Sequence, residues 1–297
     1  MANPFELGDE LAYRQWREQK LTAYPSRAEA LIVDIADPFA ITASESEAIH
    51  VLLDKCNMAI YRTQRGSDPD KAIPASIASH FGLQRIDSNL LADDDGLSSI
   101  TVSAEGDKPA YIPYTNRPIN WHCDGYYNTG EQQIRGMVLH CVQDATEGGD
   151  NQLLDHEMIY LQLRDADPAH IAALMAEDVM TIPPGKDGDG KQRGPSVGPV
   201  FSVDAEGHLH MRYTARKRNI EWKDDPATAA ALAALDVLLA DNPYLFRAHL
   251  GPGMGLICNN VLHTRDGFTD DPAAPKRLLY RARYFDRVNP IVPAGGQ

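Results

Sequence analysis

The chain has 297 residues, with 28 Lys plus Arg against 42 Asp plus Glu, and a formal net charge of −14 with histidine neutral. Nucleic acids and anionic membranes are bound through clustered Lys and Arg that displace counterions, so this balance argues against both as partners. Apolar residues make up 43% and charged residues 24%, which is enough for a packed core and unlike a disordered chain.

The four cysteines, Cys56, Cys123, Cys141 and Cys258, are scattered and form no CxxC pair. That usage points to reduced thiols and a cytoplasmic location. The first twenty residues carry Glu6, Asp9, Glu10, Arg14, Arg17 and Lys20, leaving no apolar run for a signal peptide. The most apolar stretch, 228–240, is interrupted by Asp236 and is shorter than the ~20 residues of a membrane span.

In chain order, 8–20 and 44–64 place apolar residues at helical spacing, with Ser44 as an N-cap, and 70–80 reads as a third helix ending near Gly82. The first 90 residues are therefore expected to be mainly helical and packed on the rest of the chain. From Gly96 onward, β-branched and aromatic runs recur between turn signals, at 136–142, 151–154, 179–182, 200–203, 209–213, 244–250, 255–258 and 277–285. Helices near 155–177 and 227–240 interrupt them. A doubly wound sheet would need a helix after nearly every strand. The pattern predicts a mainly β fold with flanking helices and a jelly-roll, cupin-like core, with 1–297 as a single domain. The glycine-rich stretch 183–199 reads either as a solvated loop or as a flexible lid over a site.

The most informative stretch is Asn120-Trp121-His122-Cys123-Asp124-Gly125. On a strand, residues two apart share a face, so His122 and Asp124 can hold one metal ion, with Cys123 turned away. The tripeptide proves little by itself, because ten histidines among so many acidic residues give roughly 1.4 chance matches. A triad of two histidines and a carboxylate needs a third ligand from elsewhere, and His263, 139 residues after Asp124, follows a strand. His208 and His210 are a rival pair without a suitably spaced carboxylate. In the last strand, alternation puts Arg277, Leu279, Arg281 and Arg283 on one face. Such a stripe is either a solvated surface or, turned inward beside a metal, a site for small carboxylates.

These landmarks resemble the taurine dioxygenase (TauD/TfdA) family of iron(II)- and 2-oxoglutarate-dependent oxygenases. The resemblance runs from about His80 to Tyr284 through Asn120-Trp-His122-x-Asp124-Gly, then Glu147-Gly-Gly-Asp-Asn151, then His263, then Arg277 with Arg281 four residues later. It implies a double-stranded β-helix in which His122, Asp124 and His263 bind Fe(II). It also implies that Arg277 holds the C5 carboxylate of the cosubstrate 2-oxoglutarate, helped by Asn151 in place of the usual threonine. Arg281 falls where the taurine enzyme meets its sulfonate. The stretch from His208 to Tyr213 resembles a strand lining the substrate pocket, making Tyr213 a substrate-side candidate together with Asn120 and Tyr126.

The implied activity is hydroxylation of an unactivated C–H bond by O2, with release of succinate and CO2. The substrate is expected to be a small anionic molecule: a sulfonate, phosphonate, carboxylate or amino acid. Residues 114–119 do not match the taurine enzyme's substrate contacts, which speaks against taurine itself. A slightly longer connection from His263 leaves Arg281 or Arg283 open for the role given to Arg277. Two other classes stay open at this point: a zinc-dependent hydrolase or isomerase on a cupin-like barrel, and a non-catalytic anion-binding member of the fold. A homo-oligomer is left open as well.

Overall fold

The computed structural model describes residues 3–88, 92–104, 108, 111–128, 130–186, 192–216, 218 and 220–288. Helix α1, Glu10–Ala23, is capped by the Asp9 side chain, which accepts from the Ala12 N–H. Helix α2, Ala43–Cys56, starts at Thr42, whose hydroxyl and backbone N–H are matched reciprocally by Glu45 in a capping box. It therefore begins with Thr42, and not Ser44, as its cap. It also ends earlier than its apolar spacing suggests, because Asn57 turns left-handed at φ 59°. The next six residues, Met-Ala-Ile-Tyr-Arg-Thr, carry aromatic and β-branched side chains and form a strand.

The first 90 residues are thus less helical than expected. They supply β1, Ile32–Ile35, and β2, Met58–Thr63, which pair in parallel with α2 as their crossover. Helix α3 is Ala72–His80. The expected helix near 155–177 is two helices, α4, His156–Ala166, and α5, Pro168–Leu174, divided where Asp167 caps a new N-terminus with Pro168 at its first position. Helix α6 is Pro226–Ala240.

Two sheets carry the site. The larger combines β1 and β2 with β3 (Ser98–Ile100), β5 (Gly136–Gln143), β8 (Met254–Cys258) and β10 (Leu278–Tyr284), in the order β1-β2-β8-β5-β10-β3. The smaller combines β4 (Ile119–His122), β6 (Asn151–Leu154), β7 (Phe246–Ala248) and β9 (Leu262–Arg265), in the order β7-β6-β9-β4. Every pair except β1–β2 is antiparallel, and every antiparallel pair joins strands far apart in the sequence. This is the jelly-roll arrangement expected from the strand count.

One apolar core joins the larger sheet to α2 and α3, including Ile49, Leu53, Ile77, Val138 and Leu256. A second gathers α4, α5 and α6 around Cys123, Leu154 and Leu262. The described ends of 183–199 are not open loop: Gly185–Lys186 pairs with Gln192–Arg193, and Ser196–Gly198 pairs with Met180–Ile182. The middle of that stretch, 187–191, lies outside the described residues, and with it the lid expectation. Among the described residues no helix is long and apolar enough to cross a membrane.

Candidate active site and metal centre

His122 is the last residue of β4, and His263 lies directly opposite it in β9. Antiparallel pairing brings opposed side chains together, and the two imidazole centroids are 4.2 Å apart. Asp124 arrives differently from the simple alternation expected. The strand stops at His122, and Asp124 sits in the turn just after it. Asn260 clamps that turn: its side-chain oxygen accepts the Asp124 N–H at 2.8 Å, and its amide donates to the Asp124 and Ile134 carbonyls at 2.9 and 2.6 Å. Gly125 has φ +66°, and a Cβ there would fall 2.3 Å from Ile134 Cγ1. Only glycine fits the turn that presents Asp124.

Both histidines are held in the tautomer a metal needs. Nδ1 of His122 donates to the Asn120 carbonyl at 2.9 Å, and Nδ1 of His263 donates to Val261 at 3.0 Å. Each Nε2 therefore presents a lone pair. His122 Nε2 and Asp124 Oδ1 are 3.9 Å apart, within the roughly 4 Å that two ligands about 2.1 Å from one ion can span. One ligand atom from each of His122, Asp124 and His263 lies within 4.8 Å of the others.

Burial, with His263 alongside, pushes His122 down to about 3, and burial also lowers His263, so both rings stay neutral. Burial works to raise Asp124, but Arg281 and Arg283 outweigh it and hold its carboxyl below the usual carboxylate range. Asp124 Oδ2 is buried without a hydrogen-bond partner. An orphaned carboxylate oxygen beside two exposed lone pairs is an arrangement that a divalent ion completes, so the donor set fits a metal of the Fe(II) type.

His122 and His263 line a cavity between the two sheets, together with Asn151, Arg265, Arg277, Leu279 and Arg281. Alternation along β10 places Arg277, Leu279 and Arg281 on this inner face, while the Tyr280 hydroxyl donates to the Pro69 carbonyl on the other side. Arg277 is only 4% exposed, and its guanidinium lies 4.9 Å over the Phe268 ring. It has no hydrogen-bond partner for its guanidinium among the described residues, and its burial lowers its pKa. A buried guanidinium with no directly hydrogen-bonded anion is chemically suited to accept one. The Asn151 amide lies at the cavity and donates to the Thr264 carbonyl at 2.9 Å. Arg281 donates to Asp124 Oδ1 at 3.1 Å, and Arg283 binds Asp87 and donates to the Tyr127 hydroxyl at 2.8 Å.

The family model for "Taurine catabolism dioxygenase TauD, TfdA family" matches residues 18–283. The chain belongs to that family. It is a dioxygenase of the class that uses Fe(II), 2-oxoglutarate and O2 on small-molecule substrates, so the zinc hydrolase and the non-catalytic alternative fall away. Among relatives of the TauD/TfdA chain, a uridine-5'-phosphate dioxygenase from Streptomyces sp is 32% identical over 225 residues, covering 69% of this chain and 76% of that one. Another of the same name from Amycolatopsis sp is 34% identical over 177 residues, covering 56% and 60%. The fold is shared with the non-heme iron oxygenase OrfP in complex with Fe and alpha-ketoglutaric acid (TM-score 0.60, 16% identity, 82% and 80% covered). It is also shared with an asparagine oxygenase (TM-score 0.54, 13% identity, 93% and 92% covered).

The substrate-side candidates separate in space. Asn120, the second residue of β4, is exposed on the face of His122, and its carbonyl orients that ring. Tyr126 is half-buried beside Tyr127, with ring centroids 5.4 Å apart and nearly perpendicular. Tyr213 is 3% exposed in the second core, tilted against Trp222 at 6.3 Å. It reaches the ligand segment through its carbonyl, which accepts the Cys123 N–H at 2.9 Å. Of the rival pair, His208 pairs with Asp204 at 3.3 Å, and burial pushes His210 down to about 3.

Sequence reasoning missed Asn260 and Arg265. The latter is buried at the cavity, and its guanidinium donates to the carbonyls of Ile112, Pro113, Thr115 and Arg117, fixing the segment before β4. The Asn259-Asn260 pair before His263 was the available signal, since asparagine tolerates the left-handed backbone that Asn260 adopts at φ 54°.

Proposed function

We propose that this chain hydroxylates a C–H bond of a small phosphate-bearing substrate of the nucleoside 5'-phosphate class, consuming 2-oxoglutarate and O2 and releasing succinate and CO2. The observation that carries the reading is the opposition, across one cavity, of the His122, Asp124 and His263 donor set and the unpartnered Arg277 guanidinium. His122, Asp124 and His263 hold the iron, and Arg277 takes the C5 carboxylate of 2-oxoglutarate with Asn151 beside it. Bound iron supplies the activation of O2 coupled to decarboxylation of the cosubstrate.

The protein's own part is positional. Backbone carbonyls fix the tautomer of both imidazoles so that Nε2 is left for the ion, burial keeps the rings neutral, and Asn260 holds the Asp124 turn. Arg281 and Arg283 keep the Asp124 carboxylate charged. Leu139, Ile119 and Leu279 line the cavity with apolar surface that limits water around the reacting carbon. The choice of a phosphate among small anions is supported by the two uridine-5'-phosphate dioxygenases that share about a third of their aligned residues with this chain.

Anaerobic addition of Fe(II) and 2-oxoglutarate is expected to give a weak visible charge-transfer band. His122→Ala and Asp124→Ala should lose both the band and succinate formation. A folded wild type that shows no band sinks the reading. Uridine-5'-phosphate, uridine, sulfonates and amino acids, compared by substrate-stimulated succinate release, test the substrate class.

A further inference from the structure

We infer that Arg216, braced on Tyr126, is the residue that takes the substrate's phosphate; this rests on the dioxygenase reading above. Residues 213–215 run antiparallel to the ligand segment. The Cys123 N–H donates to the Tyr213 carbonyl at 2.9 Å, the Ala215 N–H donates to Trp121 at 2.8 Å, and Thr214 bridges to His122. Side chains alternate along such a pair, so Thr214 and Arg216 fall on the face that carries His122 and Asn120. Arg216 is two residues, about 7 Å, beyond the residue opposite a candidate iron ligand.

Its surroundings are built. The Arg216 guanidinium lies 5.8 Å over the ring of Tyr126, two residues after Asp124. Tyr126 is fixed from behind, because Arg212 donates to its carbonyl at 2.8 Å while its other nitrogens bind the Met180 and Ser196 carbonyls. Tyr127 stands edge-on to Tyr126, and its hydroxyl accepts from Arg283.

The neighbouring arginines are already committed: Arg281 to Asp124, Arg283 to Asp87 and Tyr127, and Arg212 and Arg265 to backbone carbonyls. Arg216 is exposed and has no hydrogen-bond or ion-pair partner among the described residues. In a chain of net charge −14, a free fork beside the ligand strand is a local exception. Its two parallel N–H groups match the oxygens of a phosphate monoester dianion.

The test is equilibrium binding of uridine-5'-phosphate and of uridine to the Fe(II)- and 2-oxoglutarate-loaded enzyme under anaerobic conditions, in wild type, Arg216→Gln and Arg216→Lys. Wild type should bind the phosphate at least tenfold more tightly than uridine. Arg216→Gln should weaken the phosphate by on the order of 10- to 100-fold, the usual range for a lost charge-assisted contact, while Arg216→Lys recovers part of it. Uridine affinity should stay within about twofold. Equal binding of phosphate and nucleoside, or Arg216→Gln binding the phosphate as wild type does, overturns the assignment. So does a wild type that consumes 2-oxoglutarate without substrate yet binds neither uridine-5'-phosphate nor inorganic phosphate. A wild type that consumes no 2-oxoglutarate at all sinks the dioxygenase reading instead, which keeps the two failures apart.

Discussion

Arg277 is held almost fully buried over Phe268 without a hydrogen-bonding anion among the described residues. In the proposed function the C5 carboxylate of 2-oxoglutarate offsets the cost of burying this charge. Arg277→Gln is therefore expected to raise the KM for 2-oxoglutarate by on the order of 10- to 100-fold. Turnover at saturating cosubstrate should be affected less, which steady-state succinate assays will read. An unchanged KM would mean that another cation anchors the cosubstrate. The proposed donor set could be picked out in the sequence, because metal ligation demands particular residue types and His122, Asp124 and His263 have them. Asn260 and Arg265 were not legible, because both act on backbone groups more than a hundred residues away in the chain.

Among elements, the α2–β2 junction shows why spacing misleads at boundaries. Residues 44–64 satisfy a helical apolar pattern throughout, yet the chain breaks at Asn57 and continues as a strand whose buried residues fill a sheet. Tertiary packing overrides a pattern that either state could use. The same corner holds a buried ionic cluster linking α1 to α4. Lys20 lies 2.6 Å from Asp155 and 2.5 Å from Glu157, and Asn57 donates to Asp155 at 2.9 Å. Burial works to raise Glu157, but Lys20 dominates and holds it at about 2, below its ordinary 4.5.

A depressed carboxyl stabilises the fold fully above its unfolded value, and that stability is lost as the pH falls from roughly 4.5 toward 2. Lys20→Met should cost about 3–5 kcal/mol at neutral pH by stranding the carboxylates. It should also reverse the acid response, since burial then favours protonated Glu157 and acidification restores stability. Thermal melts of both proteins between pH 3 and 7 check this. A variant as stable as wild type at neutral pH would refute it.

At the scale of the whole molecule, the two sheets close on the site through very tight approaches in the larger one. Gly255 in β8 lies between Tyr61 of β2 and Leu139 of β5, and a Cβ there would come within 2.2 Å of the Tyr61 hydroxyl and 2.3 Å of the Leu139 carbonyl. The carbonyl belongs to a central strand and cannot move aside. Gly255→Ala should lose at least about 2 kcal/mol, a drop of roughly 5 °C in melting temperature, measurable by calorimetry. A shift under about 1 °C would show that the sheet yields more easily than its packing implies.

The sequence by itself determined the mainly β class, the acidic balance that argues against polyanion partners, and the residue types and order from which the metal donors are proposed, since each follows from residue type, count or order. Only the tertiary structure decided how those donors meet. The strand that carries His122 ends two residues before Asp124, and a distant asparagine holds the turn that presents the carboxylate beside the histidines. It also decided which arginines of an overall negative chain are spent on internal partners and which stay free. Pairing depends on distances between residues far apart in the chain, and neither composition nor period encodes those distances.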